Sequence, residues 1–231
     1  MAFKKIRNYS ITDSLLRDYA RAALLNAADL LQEGNLLLAS NHVPRAYFLA
    51  VAAIEETGKA SLSFNGIGRR FSDPAVCTKL RLSFENHQQK ILFAFIPWLM
   101  KDPSEDILKK QLDLASELQH GREPSMYTDI AGDGSAIREP SKLVRYVAAF
   151  DCLRLAKDCL QHATDQFQAD QPVPKTVADD AFYAMKQVHV TKVFNSSEFW
   201  EYHIKRREIG IHDFSQDVVD FHRGNLKSLL S

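Results

Sequence analysis

The sequence predicts an all-α protein, a bundle of five to seven helices that forms a single domain over residues 1–231. Over long segments, apolar residues recur at spacings of three and four, which is the period of an amphipathic helix. Stretches rich in glycine, proline and asparagine separate these segments. No sustained alternation of apolar and polar residues and no hairpin dipeptide indicates a β-strand.

The first two helices are the most clearly delimited. The first is expected to begin near Ser10 or Thr12, and its apolar residues run from Leu15 to Leu38. A break at residues 41–44 ends it, and the proline of that break suits the first turn of a second helix. The second helix is expected to end in the glycine-containing segment 65–68.

The later helices follow from the same periodicity. They are expected from about Val76 to Met100, from Pro103 to His120, from Ser141 to Gln168 and from Val177 to Phe194. The chain after Phe194 is expected to be helical up to Gly210, and a last helix is expected from Ser215 to Leu230. In the helix from Ser141, the predicted apolar side consists of Leu143, Val147, Phe150, Leu153 and Leu160. Residues 121–140 hold three glycines and two prolines and form the longest predicted loop, and such loops are usually functional or disordered.

The composition limits the possible partners. There are 29 basic and 29 acidic side chains, so no global field attracts nucleic acid, and any RNA contact must use a local patch. No run of 18 apolar residues predicts a membrane span, and the first ten residues lack the apolar core of a signal peptide. Three cysteines without a C-x-x-C pair indicate no zinc site. We therefore expect a soluble cytoplasmic protein with no metal, no cofactor and no membrane contact.

The second helix carries a narrow polar stripe on an otherwise apolar segment. At about 100° per residue, an arc of about 100° contains Arg45, Glu55, Glu56, Lys59 and Ser63. Glu55 and Lys59 have the spacing of an i,i+4 ion pair, which a solvated surface would also show. However, the helix has no charge between Arg45 and Glu55, and buried charges need partners. The stripe is therefore either a solvated face or a functional one.

Arg81 and His87 form a second candidate group. An imidazole can take the proton of a ribose 2′-hydroxyl while a guanidinium holds the phosphate, so the two residue types can cleave RNA without metal. His87 also shares a helix face with Leu80 and Phe84, which is typical of a core histidine. Arg81 lies about 120° from His87 on an ideal helix. The two converge only if a helix begins between them or if a second subunit supplies the arginine.

The long loop contains Arg122, Tyr127 and Asp129 within eight residues. Such a group can bind a phosphate or position a catalytic residue, and it can also hold a loop in place. Farther on, the basic run 205–207 lies close to Trp200, a combination that suits single-stranded nucleic acid or a solvated helix end with packed aromatics.

Motifs of common enzyme classes are missing or incomplete. Glu117 and His120 have the Glu-x-x-His spacing of a di-iron half-site, but a carboxylate bundle needs two such sites and only one is found. No P-loop, dinucleotide-binding, H-E-x-x-H or G-x-S-x-G motif occurs.

Three motifs in order carry a resemblance to a known family. They are A-I-E-E-x-G-K at residues 53–59, Phe84-x-x-His87-x-x-Lys90, and Arg122-x-x-x-Met126-Tyr127-x-Asp129. Together they resemble the AbiV group of HEPN-domain proteins. The resemblance implies a HEPN-like helical bundle that often dimerises. Many HEPN proteins are metal-independent ribonucleases with an R-x(4–6)-H motif. The AbiV group is one of bacterial abortive-infection proteins that act against phage by stopping protein synthesis.

The resemblance implies roles for individual residues. Arg81 and His87 would be the R-x(4–6)-H pair, with Leu82 where the usual motif has a polar residue. The catalytic candidates are His87 as general base or acid, Arg81, Glu55 and Lys59. The candidates for substrate binding are Glu56, Lys90, Arg122, Tyr127 and Asp129. Glu55 would pair with Lys59, and Arg81 and Arg122 would hold phosphate.

The leading hypothesis is a dimeric abortive-infection toxin that cleaves RNA or otherwise blocks translation. Its expected partners are RNA or the translation machinery, a second copy of the chain, and a regulator such as a phage-encoded activator. The alternative is a non-catalytic HEPN module that binds RNA, a nucleotide or a protein partner through the same cleft. A third reading, a di-iron bundle, predicts bound iron in the purified protein.

Overall fold

A computed structural model describes residues 9–101, 114 and 117–224 of the 231-residue chain. Within that part, the regular structure is helical apart from a hairpin of two strands with two residues each, which confirms the all-α fold. The helix predicted from Pro103 falls largely outside the described residues, and only its end, residues 117–122, is seen to be helical.

The elements follow one another with short connections. They are α1 (Asp13–Ala39), α2 (Val43–Gly66), α3 (Pro74–Glu85), α4 (His87–Lys101), β1 (Asp129–Ile130), β2 (Ile137–Arg138), α5 (Pro140–Leu143), α6 (Tyr146–Ala169), α7 (Val177–Ala184), α8 (Gln187–Phe194), α9 (Ser197–Glu208) and α10 (Phe214–Arg223). β1 and β2 are antiparallel, and Asp129 is opposite Arg138.

The described helices outnumber the five to seven expected because three predicted long helices are divided. One of them, expected from Ser141 to Gln168, is found as α5 and α6, and the other two are divided as follows. The helix expected from Val76 to Met100 is interrupted at Asn86, whose side-chain oxygen accepts a hydrogen bond from the backbone N–H of Gln89 at 3.0 Å and so caps α4. The segment expected from Val177 to Phe194 is divided into α7 and α8 at Met185, which adopts extended backbone. Neither break contains glycine or proline, the residues that usually mark one.

The contacts divide the chain into two compact units. The first comprises residues 1–67 and 81–172, and the second comprises residues 68–80 and 173–231, each with residues outside the described part. A single folding domain can contain two compact units, so the prediction of one domain stays a prediction.

In the first unit, α2 is the central helix. It packs against α1, α4 and α6, and the part of its apolar face from Ala46 to Ile54 enters one core, while Ala60 belongs to a second cluster with Ala20 and Ala23. α1 begins at Thr12, as expected, where the Thr12 hydroxyl oxygen accepts from the backbone N–H of Leu15 at 3.1 Å. α2 has proline in its first turn and ends at Gly66, also as expected.

The buried face of α6 differs from the predicted apolar side. Leu143 lies just before α6, and its side chain and those of Val147 and Phe150 are 46%, 54% and 50% exposed. The buried face instead consists mostly of small residues: Ala149, Cys152, Leu153, Ala156, Cys159 and Ala163. Small side chains also repeat with the helical period, and they let α6 approach α2 closely. Leu153, on the predicted side, is buried, so a ranking by hydrophobicity alone locates the buried face only in part.

In the second unit, an aromatic core is flanked by two buried aspartates. Val193, Phe199 and Val218 form that core. Asp180 is fully buried and pairs with Arg69 at 3.2 Å and with Arg70 at 3.4 Å. Asp217, also fully buried, pairs with His203 and Arg206, as described below. Each buried charge in this unit thus has cationic partners.

The contact between α2 and α4 depends on the absence of a side chain at Gly58. A Cβ atom there would lie 1.7 Å from the carbonyl oxygen of Lys90. No rotation of a side chain can relieve such a clash, because the obstructing atom belongs to the backbone. Gly58 therefore lets the two helices approach closely enough to share polar side chains.

We predict that Gly58→Ala destabilises the protein by at least about 3 kcal/mol, at the upper end of the cost of overpacking a core. Urea unfolding followed by circular dichroism measures the change. Gly132→Ala is the matched control, because a Cβ at Gly132 meets nothing within 4 Å. Equal stabilities of the two variants would contradict the close approach of α2 and α4.

Candidate functional site

The candidate site is centred on the carboxylate of Glu55, which α2 places inside the first unit. Only 5% of Glu55 is exposed. Its Oε2 lies 2.7 Å from Nδ1 of His87 and 2.9 Å from Nζ of Lys90. Its Oε1 lies 2.9 Å from Nε of Arg122. One buried acid is thus surrounded by three basic side chains from distant parts of the sequence.

His87 and Lys90 reach Glu55 because α4 begins at His87. In the first turn of a helix, residues three apart lie on one side, and Lys90 Nζ is 3.2 Å from His87 Nδ1. The cap by Asn86 fixes where that turn begins. Gly58 lies one helical turn after Glu55 on α2. The close packing at Gly58 places the first turn of α4 against this part of α2.

Arg122 ends the helical segment of residues 117–122 and lies across α2. Its guanidinium carbon is 5.3 Å from the ring centroid of Phe48, which precedes Glu55 by two helical turns. Its carbonyl oxygen accepts a hydrogen bond from the Ser125 hydroxyl at 2.6 Å. Arg122 also pairs with the exposed Glu123. These contacts hold the guanidinium between an aromatic ring and the buried carboxylate.

The electrostatic balance keeps Glu55 ionised at neutral pH. Burial by itself would raise its pKa, but the hydrogen bond and charge of Lys90, and then those of His87, bring the pKa below the ordinary value of 4.5. With a neutral His87, the group of Glu55, Lys90 and Arg122 carries a net charge of about +1. The site therefore has an excess of positive charge, partly offset at its edge by Glu123.

His87 is the exposed member of this group. Half of its side chain is accessible, whereas the side chains of Glu55 and Lys90 are each 6% exposed. A carboxylate only accepts hydrogen bonds and an ammonium only donates them, so Glu55 and Lys90 favour opposite roles for His87 Nδ1. The Glu55 oxygen is the closer of the two, at 2.7 Å against 3.2 Å for Lys90 Nζ, and it favours the form of His87 that carries a proton on Nδ1. The second ring nitrogen, Nε2, is then the one that can accept a proton from a bound substrate.

The structure thus brings together four of the predicted site residues: Glu55, His87, Lys90 and Arg122. Lys59 and Glu56 are arranged differently from the prediction. Lys59 Nζ pairs with Oε1 of Glu56 at 2.5 Å, and the expected pair of Lys59 with Glu55 is not the one found. The Glu55 carboxylate instead has His87, Lys90 and Arg122 as its basic neighbours.

Arg81 makes its contacts away from Glu55. The helix does break between Arg81 and His87, which was one condition for the two to converge. However, Nη2 of Arg81 donates to the carbonyl oxygen of Tyr9 at 2.6 Å, and its guanidinium carbon lies 5.4 Å from the Tyr9 ring centroid. Within the described part of the chain, Arg122 is the arginine that meets the carboxylate partner of His87.

Tyr127 and Asp129 lie at the surface, beyond Arg122 in the same loop. Tyr127 is 59% exposed, and its backbone N–H donates to the carbonyl oxygen of Glu123 at 3.1 Å. The Asp129 carboxylate accepts from the backbone N–H of Ile130 at 2.8 Å. The contacts of both residues are local to the loop.

Sequence reasoning did not single out Phe48. Arg45, Phe48, Glu55 and Lys59 lie on one face of α2 at helical spacing, which is the signal that could have identified it. An aromatic residue in an apolar helix is usually part of the core. Here its ring supports the guanidinium of Arg122.

The other candidate clusters either form ion pairs with a buried side chain or lack the ligands of a metal site. Arg206, within the basic run near Trp200, has its Nε 2.5 Å from the buried Asp217, which His203 Nδ1 also meets at 2.7 Å. Around Glu117 and His120, and elsewhere among the described residues, no group of three or more His, Cys, Asp or Glu side chains could hold a metal ion. No described helix is long and apolar enough to cross a membrane.

Comparison with known proteins identifies the class and the family. A family model described as HEPN_AbiV, AbiV, matches residues 15–161, a span that contains every residue of the Glu55 cluster. The fold and this match define an abortive-infection protein of the HEPN class. The chain belongs to the AbiV family. No curated protein and no solved structure matches it.

We predict that Glu55→Gln lowers the free energy of unfolding at pH 7 by about 3–5 kcal/mol, because it leaves Lys90 as a buried charge without its anionic partner. The pKa of Glu55 is lower in the folded protein than in the unfolded chain. Its ionised form therefore favours folding above pH 4.5, and this contribution is lost as the pH falls through the folded pKa. The difference between wild type and variant should accordingly shrink below pH 4.5.

Urea unfolding at pH 7 and at several values below pH 4.5 measures this difference. Glu123→Gln is the control, since that carboxylate is 62% exposed, and at pH 7 it should change stability by no more than about 0.5 kcal/mol. If the loss in Glu55→Gln were the same at pH 7 and in acid, the ionised carboxylate would not be its cause.

Proposed function

We propose that this AbiV-family protein is a metal-independent endoribonuclease that stops translation, with His87 as its general base. The observation that carries the proposal is the half-exposed His87, whose Nδ1 lies 2.7 Å from a buried carboxylate. Such a partner holds an imidazole in one tautomer and orientation, as general base catalysis requires. The cations Lys90 and Arg122 meet the same carboxylate.

In the proposed reaction, His87 Nε2 takes the proton of a ribose 2′-hydroxyl. The 2′-oxygen then forms a bond to the adjacent phosphorus while the bond from phosphorus to the 5′-oxygen breaks. The departing 5′-oxygen receives a proton from water or from the imidazolium of His87. The products are a 2′,3′-cyclic phosphate and a free 5′-hydroxyl, and the step requires no metal ion.

Lys90 and Arg122 supply positive charge where negative charge develops on the phosphate. Arg122 is the better placed for direct contact, because its side chain is 23% exposed while that of Lys90 is 6% exposed. Arg122 thereby holds the phosphate alone, whereas the resemblance implied that Arg81 and Arg122 hold it together. In this scheme Glu55 is a positioning residue, and the pair of Lys59 and Glu56 lies beside the site without taking part in the reaction.

The proposal includes a homodimer that acts in the cytoplasm under the control of a regulator, such as a phage-encoded activator. An exposed apolar strip supports the dimer: Leu143, Tyr146, Val147 and Phe150 are each 46–57% exposed at and before the start of α6. Exposed patches of this kind often mark interfaces. A chain that sediments as a monomer at micromolar concentration would rule out the dimer.

A non-catalytic HEPN module that binds RNA, a nucleotide or a protein partner is the second candidate. The observation in its favour is the contact of Arg81 with Tyr9, which keeps the R-x(4–6)-H pair apart. This candidate predicts binding without cleavage and tolerance of His87→Gln.

We predict that the purified protein cleaves total bacterial RNA in the presence of EDTA, and that His87→Ala abolishes the cleavage. Arg122→Ala should slow it by at least about a hundredfold, as expected for a group that stabilises the transition state. Lys59→Ala is the control and should retain the wild-type rate. Gel analysis of the RNA gives the rates, and circular dichroism verifies the fold of each variant.

Two results would contradict the proposal that the protein is a ribonuclease with His87 as its base. Cleavage by a folded His87→Ala protein at the wild-type rate would remove His87 from the reaction. RNA binding by the wild type without cleavage, unchanged in His87→Gln, would favour the binding module.

A further inference from the structure

The segment 121–127 lies along α2 and is held to it at two points. Near its start, Arg122 Nε is 2.9 Å from Glu55 Oε1. Near its end, Arg45 Nη1 donates to the carbonyl oxygen of Met126 at 3.0 Å. Arg45 and Glu55 are ten residues apart on one helix, which at 1.5 Å per residue is about 15 Å. The segment is therefore attached to two residues whose backbones are about 15 Å apart along α2.

Hydrogen bonds within the segment give it a defined conformation. The backbone N–H of Ser125 donates to the carbonyl oxygen of Gly121 at 3.2 Å, and those of Met126 and Tyr127 donate to the carbonyl oxygen of Glu123 at 3.0 and 3.1 Å. Ser125 is completely buried. Tyr127 thus extends from a backbone that is bonded internally and to α2.

The side chain of Tyr127 is nevertheless exposed, at 59%. A large ring on an ordered backbone, outside any core cluster of the described residues, is available to a ligand. The guanidinium of Arg45, on an exposed residue, lies beside the preceding residue Met126. An exposed aromatic ring one residue along the chain from the contact of a cation is a combination that suits unpaired nucleotides, because the ring can stack on a base while the cation attracts the phosphate.

We propose that Tyr127 and Arg45 form a nucleobase-stacking subsite for single-stranded RNA, separate from the cleavage site at His87. The proposal rests on the nuclease function proposed above and names its substrate class. A span of about 15 Å corresponds to about four nucleotides of a stacked strand, and to fewer nucleotides in an extended one. The subsite therefore selects RNA that has unpaired bases several nucleotides from the bond that is cleaved.

The test compares Tyr127→Ala and Tyr127→Phe with the unchanged Tyr127 by fluorescence anisotropy, with two RNA probes, and all three proteins also carry His87→Ala so that the probes are not cleaved. One probe is a single-stranded octanucleotide, and the other is an octanucleotide of equal charge whose nucleotides are all abasic. Tyr127→Ala should weaken binding of the first probe about tenfold, the size expected for one base stacked on one ring. It should leave binding of the abasic probe unchanged, and Tyr127→Phe should bind both probes as the wild type does.

The outcomes separate this inference from the proposed function. If Tyr127→Ala binds both probes like the wild type, or weakens both equally, the stacking subsite is wrong, while RNA binding at the Glu55 site still stands. If the wild type neither binds nor cleaves the octanucleotide, the proposed function fails and the subsite fails with it. Arg45→Lys, which keeps the charge, should retain binding of both probes, and Arg45→Ala should weaken both.

Discussion

The ionised carboxylate of Glu55, buried in the first unit, is the interaction on which the candidate site depends. A charge in a protein interior is costly unless cations and hydrogen bonds compensate for it. Glu55 has three basic neighbours, which come from two turns of the chain that are far apart in sequence. Its carboxylate thus fixes the position of the start of α4 against α2. It also fixes the position of the segment that follows residue 121 against α2. Packing supports the same arrangement, since Gly58 permits the close contact of α2 and α4.

The sequence was sufficient for the helical class and for much of the site. Helical periodicity located the polar stripe of α2, and the order of the three motifs indicated that His87, Lys90 and Arg122 belong with Glu55. The partner of Lys59 could not be predicted, because i,i+3 and i,i+4 pairs are both possible on a helix and the choice depended on residues elsewhere. The orientation of Arg81 could not be predicted either, because its guanidinium donates to a backbone carbonyl oxygen that is 72 residues away in the sequence. The buried face of α6 was misjudged because close packing of small residues outweighed hydrophobicity.

The arrangement has a consequence for the chemistry of the HEPN class in this chain. The arginine nearest to the histidine in sequence is engaged by Tyr9, while a more distant arginine reaches the carboxylate that holds His87. Among the described residues, Lys90 and Arg122 are the Lys and Arg side chains that meet the carboxylate partner of His87. The same segment that supplies Arg122 continues along α2 to Tyr127, so recognition of an RNA strand and its cleavage would depend on one short piece of chain.

The central claim is that Glu55 holds the proton of His87 on Nδ1 and leaves Nε2 as the base. Nuclear magnetic resonance of the ¹⁵N-labelled imidazole side chains above pH 7 tests it most directly, with the His87 signals assigned from a His87→Gln variant. The account predicts that neutral His87 is in the Nδ1–H tautomer and that Glu55→Gln removes this preference. A His87 in the Nε2–H tautomer, unchanged in Glu55→Gln, would contradict the account.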